Sequence, residues 1–161
     1  MTKFAAWYNK QMDLQSLIVK YLDEARVMQV ATSVGDRPWC CTVYFAVDNA
    51  HHLYWISTPE REHSQDISKN PYVGGTIVLS QEFGKPVQGI QFRGSAQQIT
   101  DPGQIAALAV AYMDRYQKPT LAQDIISGKN PHQLYQMKPE LYVLFDQVNF
   151  PDNPRQEWYI T

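Results

Sequence analysis

Thiols are scarce in this sequence, and their spacing excludes two kinds of chemistry. Its two cysteines, Cys40 and Cys41, are adjacent. Neighbours on a strand point to opposite faces, so a bond between them would be strained. Lacking CxxC spacing, they make no zinc site either. Both are expected as small apolar side chains in a reducing cytoplasm. Long apolar runs are missing too: none approaches the roughly 18 to 20 residues of a membrane-spanning helix. The opening "MTKFAAWYNKQMD" has one short apolar patch and no long h-region, so a signal peptide is not expected. Fourteen basic residues stand against sixteen acidic ones, a formal charge of -2, with no block of one sign. The footprint of a nucleic-acid binder is therefore absent, and neither nucleic acid nor membrane is expected as a partner.

Short chemical signatures are also lacking. There is no GxSxG, no GxGxxG and no P-loop. His51, His52, His63 and His132 show no ligand spacing with Cys, Asp or Glu, so no metal site is expected. No catalytic triad suggests itself, and no residue is assigned a catalytic role.

What remains is a globular composition, 44% hydrophobic and 12% aromatic over 161 residues, expected to form a single domain over 1–161. Leu14, Leu17, Ile18, Tyr21 and Leu22 follow helical spacing, which predicts an amphipathic helix over 12–25. The period then changes to two. "RVMQVATS" reads as a first strand, Gly35-Asp36 as a turn and "RPWCCTVYFAVD" as a second strand. The two faces of that second strand differ little in polarity, so both are expected to be covered. "HHLYWIS", "YVGGTIVLS" and "VQGIQFRGSAQQI" read as further strands, with Gly89 and Gly94 as candidate bulges or bends. Asp101, Pro102 and Gln104 then open a capped helix, and "LAQDIISGKN" a short one closed by Gly128. "LYVLFDQVNF" and "QEWYI" complete the set. The expected class is α+β, mainly β: a split β-barrel of six to seven mostly antiparallel strands with flanking helices.

One stretch invites a ligand. In "STPEREHSQDISKNP", residues 57–71, a strand runs into a helix with Thr58 as the expected N-cap and Pro59 at N1. Helix starts favour anions, and Ser57, Thr58, Ser64 and Arg61 supply donors. Glu60 and Glu62 equally suit an ordinary solvated first turn.

The run over 30–78, "VATSVGDRPWCCTVYFAVDNAHHLYWISTPEREHSQDISKNPYVGGTIV", resembles the pyridoxamine 5'-phosphate oxidase-like, FMN-binding split-barrel proteins. The likeness lies in an ordered set: a Gly-Asp turn, "RP" opening the next strand, a hairpin, Ser-Thr, a short helix ending "NP", and a Val-rich strand. "IQFRGSAQQI" is similar to the family's long strand with its central glycine, and "VNFPDN" to a small branch apart from the oxidase proper. The resemblance implies FMN at the interface of a homodimer, which the cysteine reading above places in the cytoplasm. It implies that Cys41, Thr42, Val43 and Tyr44 run beside the isoalloxazine ring, and that Ile56 and Ser57 meet the ribityl-phosphate end. The family's two phosphate-gripping basic residues fall at Glu62 and His63, with Arg61 one position away. Gln88 lies next to where a second subunit often supplies a glutamine. No Arg-x-His cluster stands near the C-terminus, so oxidation of pyridoxamine phosphate is not expected. The expected function is an FMN-dependent oxidoreductase acting on a small-molecule substrate or reductant. The alternative is a non-enzymatic module on the same fold, holding haem or another flat ligand, or acting as a cofactor-free dimeric regulator.

Overall fold

The computed structural model describes residues 13–79 and 82–160; the reading of the N-terminal "MTKFAAWYNKQM" lies outside them. Helix α1 (Leu14–Glu24) starts at Asp13, whose carboxylate accepts from the Ser16 amide at 3.0 Å. It buries Leu17, Ile18, Tyr21 and Leu22, the face its periodicity predicts. A hairpin follows, β1 (Val27–Val34) and β2 (Arg37–Tyr44), turning through Gly35 and Asp36. The chain breaks from β2 at Phe45, so β3 (Ala46–Val47) is a separate two-residue piece paired with β4 (Leu53–Ser57). Then come α2 (Glu62–Lys69), β5 (Tyr72–Val78), β6 (Gln88–Gln98), α3 (Pro102–Arg115), α4 (Pro119–Ile126), β7 (Gln133–Asp146) and β8 (Arg155–Tyr159).

All pairings are antiparallel, in the order β2-β1-β5-β6-β7-β4-β3, with β8 on β7. The result is the expected mainly β, α+β half-barrel, with the fragment β3 raising the strand count to eight. Strand β7 is the seam. One edge pairs with β6 from Tyr135 to Asp146, while the other is shared between β4 (Gln133–Met137) and β8 (Leu141–Phe145). The register of β6 shifts between Arg93 and Gly94. A Cβ at Gly94 would lie 2.1 Å from the Lys138 carbonyl oxygen, so only glycine permits this approach. No register shift marks Gly89.

Three expectations need correction. The last long strand begins at Gln133 and ends at Asp146, not 141–150: β6 supplies partners that carry it past Lys138-Pro139-Glu140. Both faces of β2 were expected to be covered, but it is the terminal strand of the sheet, with Trp39, Thr42 and Tyr44 exposed. Thr58 does not cap α2, as described below.

The main core fills the inside of the curled sheet, where Met28, Val30, Phe45, Leu53, Trp55, Ile90 and Met137 pack with α1. Each such side chain contributes about 1.5–3 kcal/mol by leaving water. A smaller core lies outside, where Ala109, Tyr112, Met113, Ala122 and Ile125 of α3 and α4 pack on Ala46 and Ile56. At one end of the barrel sits Asp146, 0% exposed. Its carboxylate accepts from the Tyr21 hydroxyl (2.6 Å), the Gln88 amide (3.2 Å), the Asn149 amide (2.7 Å) and the backbone N–H groups of Val148 and Asn149. Burial pushes its pKa up, but these donors outweigh burial and hold it below the ordinary carboxylate value.

Replacing Asp146 with Asn keeps the shape but faces the same donors with no charge and an NH2 group. Urea unfolding at pH 7 is expected to show a loss of about 1.5–3 kcal/mol. Because the folded pKa is depressed, the carboxylate's stabilisation is present above its unfolded pKa of about 3.9. It is lost as pH falls through the lower folded value, so Asp146→Asn should also flatten the acid limb of the stability curve. Unchanged stability at pH 7 would contradict this role.

Candidate functional site

The chain leaves β4 at Ser57 and makes a β-turn closed by the Arg61 N–H on the Thr58 carbonyl at 3.2 Å. Pro59 sits at the second position of that turn, where its fixed φ is preferred. The proline therefore serves the turn rather than the helix, and α2 starts three residues later than expected. Arg61 is the N-cap, in extended conformation, its carbonyl accepting from Ser64 and Gln65 at 3.0 Å each. Its guanidinium makes no capping bond and is exposed.

Helix α2 buries His63, Ser64, Asp66 and Ile67, one face at helical spacing, against β1, β2 and β6. Two anchors fix it there. Asp66 accepts from the Thr32 hydroxyl at 2.7 Å, and the Asn70 amide donates to the Ser33 carbonyl at 3.0 Å. The Ser64 hydroxyl donates to that of Ser57 at 3.2 Å, tying the helix start to the end of β4. His63 is different. It is 7% exposed, yet its Nε2 has no hydrogen-bond partner among the described residues. Burial lowers its pKa below 6.5, the nearby Arg61 charge lowers it further, and Asp66 pulls the other way. By helix geometry the N–H groups of Glu62 and His63 lie in the unpaired first turn. Glu62 itself is exposed, about 100° around the helix from His63.

Strand β2 supplies the adjoining wall. Cys41 and Val43 face inward against Val30 and Met28 and are half-buried; Thr42 and Tyr44 face outward. Burial, then the neighbouring Cys40, push the Cys41 thiol up to about 11, so it is no thiolate nucleophile at neutral pH. Alternate N–H and C=O groups of β2 point away from β1, towards an edge with no strand partner among the described residues. Strand β2 also approaches β4, and α2 packs across the end of the β1–β2 hairpin. Of the expected site residues, Ser57, Thr58, Arg61, His63 and Ser64 gather at the start of α2, whereas Tyr44 and Ile56 line a groove against α3 and α4. Gln88 is elsewhere: its amide donates to Tyr21 and Asp146 at the start of β6, whereas α2 lies beside Ala96–Gln98 at the strand's end. Sequence reading missed the Thr32–Asp66 bond that seats α2, although Asp66 lies three residues after His63, on the same helical face.

Residues 14–144 match the sequence family described as pyridoxamine 5'-phosphate oxidase. A UPF0306 protein of Photorhabdus laumondii is 29% identical over 79 residues, 48% of this chain and 55% of that protein. The chain thus spans little more than half the length of this curated relative. Among solved structures, a conserved hypothetical protein of Mycobacterium tuberculosis superposes with a TM-score of 0.73 at 16% identity, covering 93% of each chain. An FAD-binding protein of Mesorhizobium loti gives 0.65 at 20% identity, over 81% of this chain and 92% of its own. The haem storage protein HutZ of Vibrio cholerae gives 0.63 at 18%, over 80% and 92%.

The buried imidazole carries a pH signature. Its folded pKa lies below its unfolded value near 6.5. Between those values the unfolded chain holds the extra proton, so stability is full above about pH 6.5 and falls as pH drops through the window. Urea unfolding at pH 7.5 and 5.5 should show a larger acid-side loss for the wild type than for His63→Gln. Equal losses would mean that His63 is not held neutral.

Proposed function

The chain belongs to the pyridoxamine 5'-phosphate oxidase family, and on that premise we propose that it binds FMN at a homodimer interface and acts as an oxidoreductase on a small molecule. The observation that carries this reading is the unpartnered Nε2 of buried His63, at a helix start that also holds Arg61 and the Ser57–Ser64 hydroxyl pair. A buried polar atom without a partner costs about 1–3 kcal/mol. A phosphate monoester is the complement of such a set: an acceptor for the imidazole, the hydroxyls and the first-turn N–H groups, and a counter-charge for Arg61. These donors support the reading of a phosphate-bearing cofactor. Glu62 stands where the family places a base, but it is turned to solvent, so it does not oppose an anion on the His63 face.

The polar edge of an isoalloxazine would find backbone groups along Cys41–Tyr44, with Thr42 and Tyr44 outward. When bound, the flavin supplies the hydride chemistry; the chain's part is to bind, orient and exclude water. A homodimer draws support from the open β2 edge and from exposed Trp39 (48%), Tyr44 (61%) and Tyr72 (66%) on strands β2 and β5. In that assembly the second subunit would bring Gln88 next to the position where the family pattern implies a glutamine. A haem-binding reading draws on the fold of the Vibrio protein alone. No helix among the described residues is long and apolar enough to cross a membrane.

Titration with FMN, followed by its visible absorption and fluorescence, is expected to show saturable binding. Arg61→Ala and His63→Ala should each weaken that binding by about 1–3 kcal/mol. A protein that leaves FMN unperturbed at tens of micromolar, or takes up hemin with a Soret band instead, overturns the reading.

A further inference from the structure

A concavity opens beside Tyr44, on the side of β4 where Ile56 packs on α3 and α4. It has a volume of about 360 Å3 and lies between the last residue of β2 and the α3–α4 corner. Its wall is aromatic. The Tyr44 and Tyr116 rings meet edge to face with centroids 5.4 Å apart, and Tyr112 and Tyr116 lie at 5.0 Å. The hydroxyls of Tyr112 and Tyr116 are turned to the backbone. That of Tyr112 donates to the Tyr44 carbonyl at 3.0 Å, while that of Tyr116 sits between the Arg26 and Phe45 carbonyls and accepts from the Phe45 N–H. Burial pushes the pKa of Tyr112 and of Tyr116 up, so both remain neutral. With their hydroxyls engaged, these two rings present apolar, π-rich surface to the groove.

Ile56, Met113 and Leu121 complete the apolar lining. The groove's cation is Lys118. Gln117, with φ of 54°, turns the chain at the end of α3, and the Lys118 N–H is pinned to the Met113 carbonyl at 2.9 Å. The exposed Lys118 side chain is thereby rooted at the mouth of the groove. Locked rings, an apolar lining and one ammonium at the rim specify a ligand by shape and charge.

We propose that this groove binds a planar aromatic molecule of about two fused rings carrying one carboxylate, its rings against Tyr44 and Tyr116 and its charge at Lys118. Tyr44 also belongs to the strand assigned to the flavin, so the substrate of the proposed oxidoreductase falls in this class. That last step rests on the flavin reading; the binding of the aromatic anion does not.

The test uses the full chain labelled with 15N and titrated with 2-naphthoate, with 2-naphthylmethylamine as the cationic control. FMN absorption in a parallel sample reports the flavin reading separately. Shifts are expected at the amides of residues 112–121, with a dissociation constant of about 1 mM or tighter and weaker binding of the amine. Lys118→Gln, at an exposed site, should weaken naphthoate about two- to fivefold and leave the amine no weaker. Tyr44→Ser should weaken both about threefold or more. Shifts confined to residues 57–64, equal affinity for anion and cation, or no shift at several millimolar would each overturn the proposal. So would a Tyr44→Ser variant that loses only self-association, which would make the groove a subunit contact.

Discussion

The close approach of Gly94 to the Lys138–Pro139 backbone is the contact on which the rest of the architecture depends. With no Cβ at Gly94, β7 takes up an extra residue there, Glu140, between the partners of Arg93 and Gly94, and bends with β6. Strand β7 hands its other edge from β4 to β8 across the same stretch. The sheet consequently curls until β2, at one end of the strand order, approaches β4 near the other. Gly75 serves the same curvature: a Cβ there would fall 2.0 Å from the Gln29 carbonyl oxygen and against the Phe92 ring. The gap between β2 and β4 is thus a product of backbone geometry, and α2 and the α3–α4 pair flank it.

Two buried polar centres show how the same physics serves two ends. Asp146 is wholly buried and surrounded by donors from α1, β6 and the turn after β7, which makes it a structural clamp. His63 is nearly as buried, yet its Nε2 has no such partner among the described residues. Trp55 Nε1 and Arg115 Nε share that lack of a partner, and what distinguishes His63 is its place at a helix start, where a bound anion would recover the cost. On the proposed flavin reading, packing completes the first centre and a bound anion would complete the second.

Much of the fold was legible in the sequence. The period of Leu17, Ile18, Tyr21 and Leu22 marked α1, alternation marked the strands, and Asp101-Pro102 marked the start of α3. What was illegible follows from competing uses of one residue. Pro59 suits a helix N1 and a turn alike, and only the Thr58–Arg61 closure decides between them. Lys138-Pro139-Glu140 reads as a break, but the full-length pairing of β6 makes it the middle of β7. The exposure of β2 could not be read either, since alternation reports which way side chains point and not whether the edge has a neighbour. Within residues 57–71 the helix was legible, and the side chains that it turns inward were not. Which of Arg61, Glu62 and His63 faces inward depends on where the helix begins.

The most direct measurement is the 15N spectrum of the His63 imidazole near neutral pH, with FMN or with riboflavin, which lacks the phosphate. A phosphate held at Nε2 favours the protonated ring, so FMN should raise the His63 pKa and move its ring nitrogens towards the imidazolium position. Riboflavin should leave them where they are and bind more weakly. Equal binding of the two, or a His63 resonance indifferent to FMN, would contradict the account.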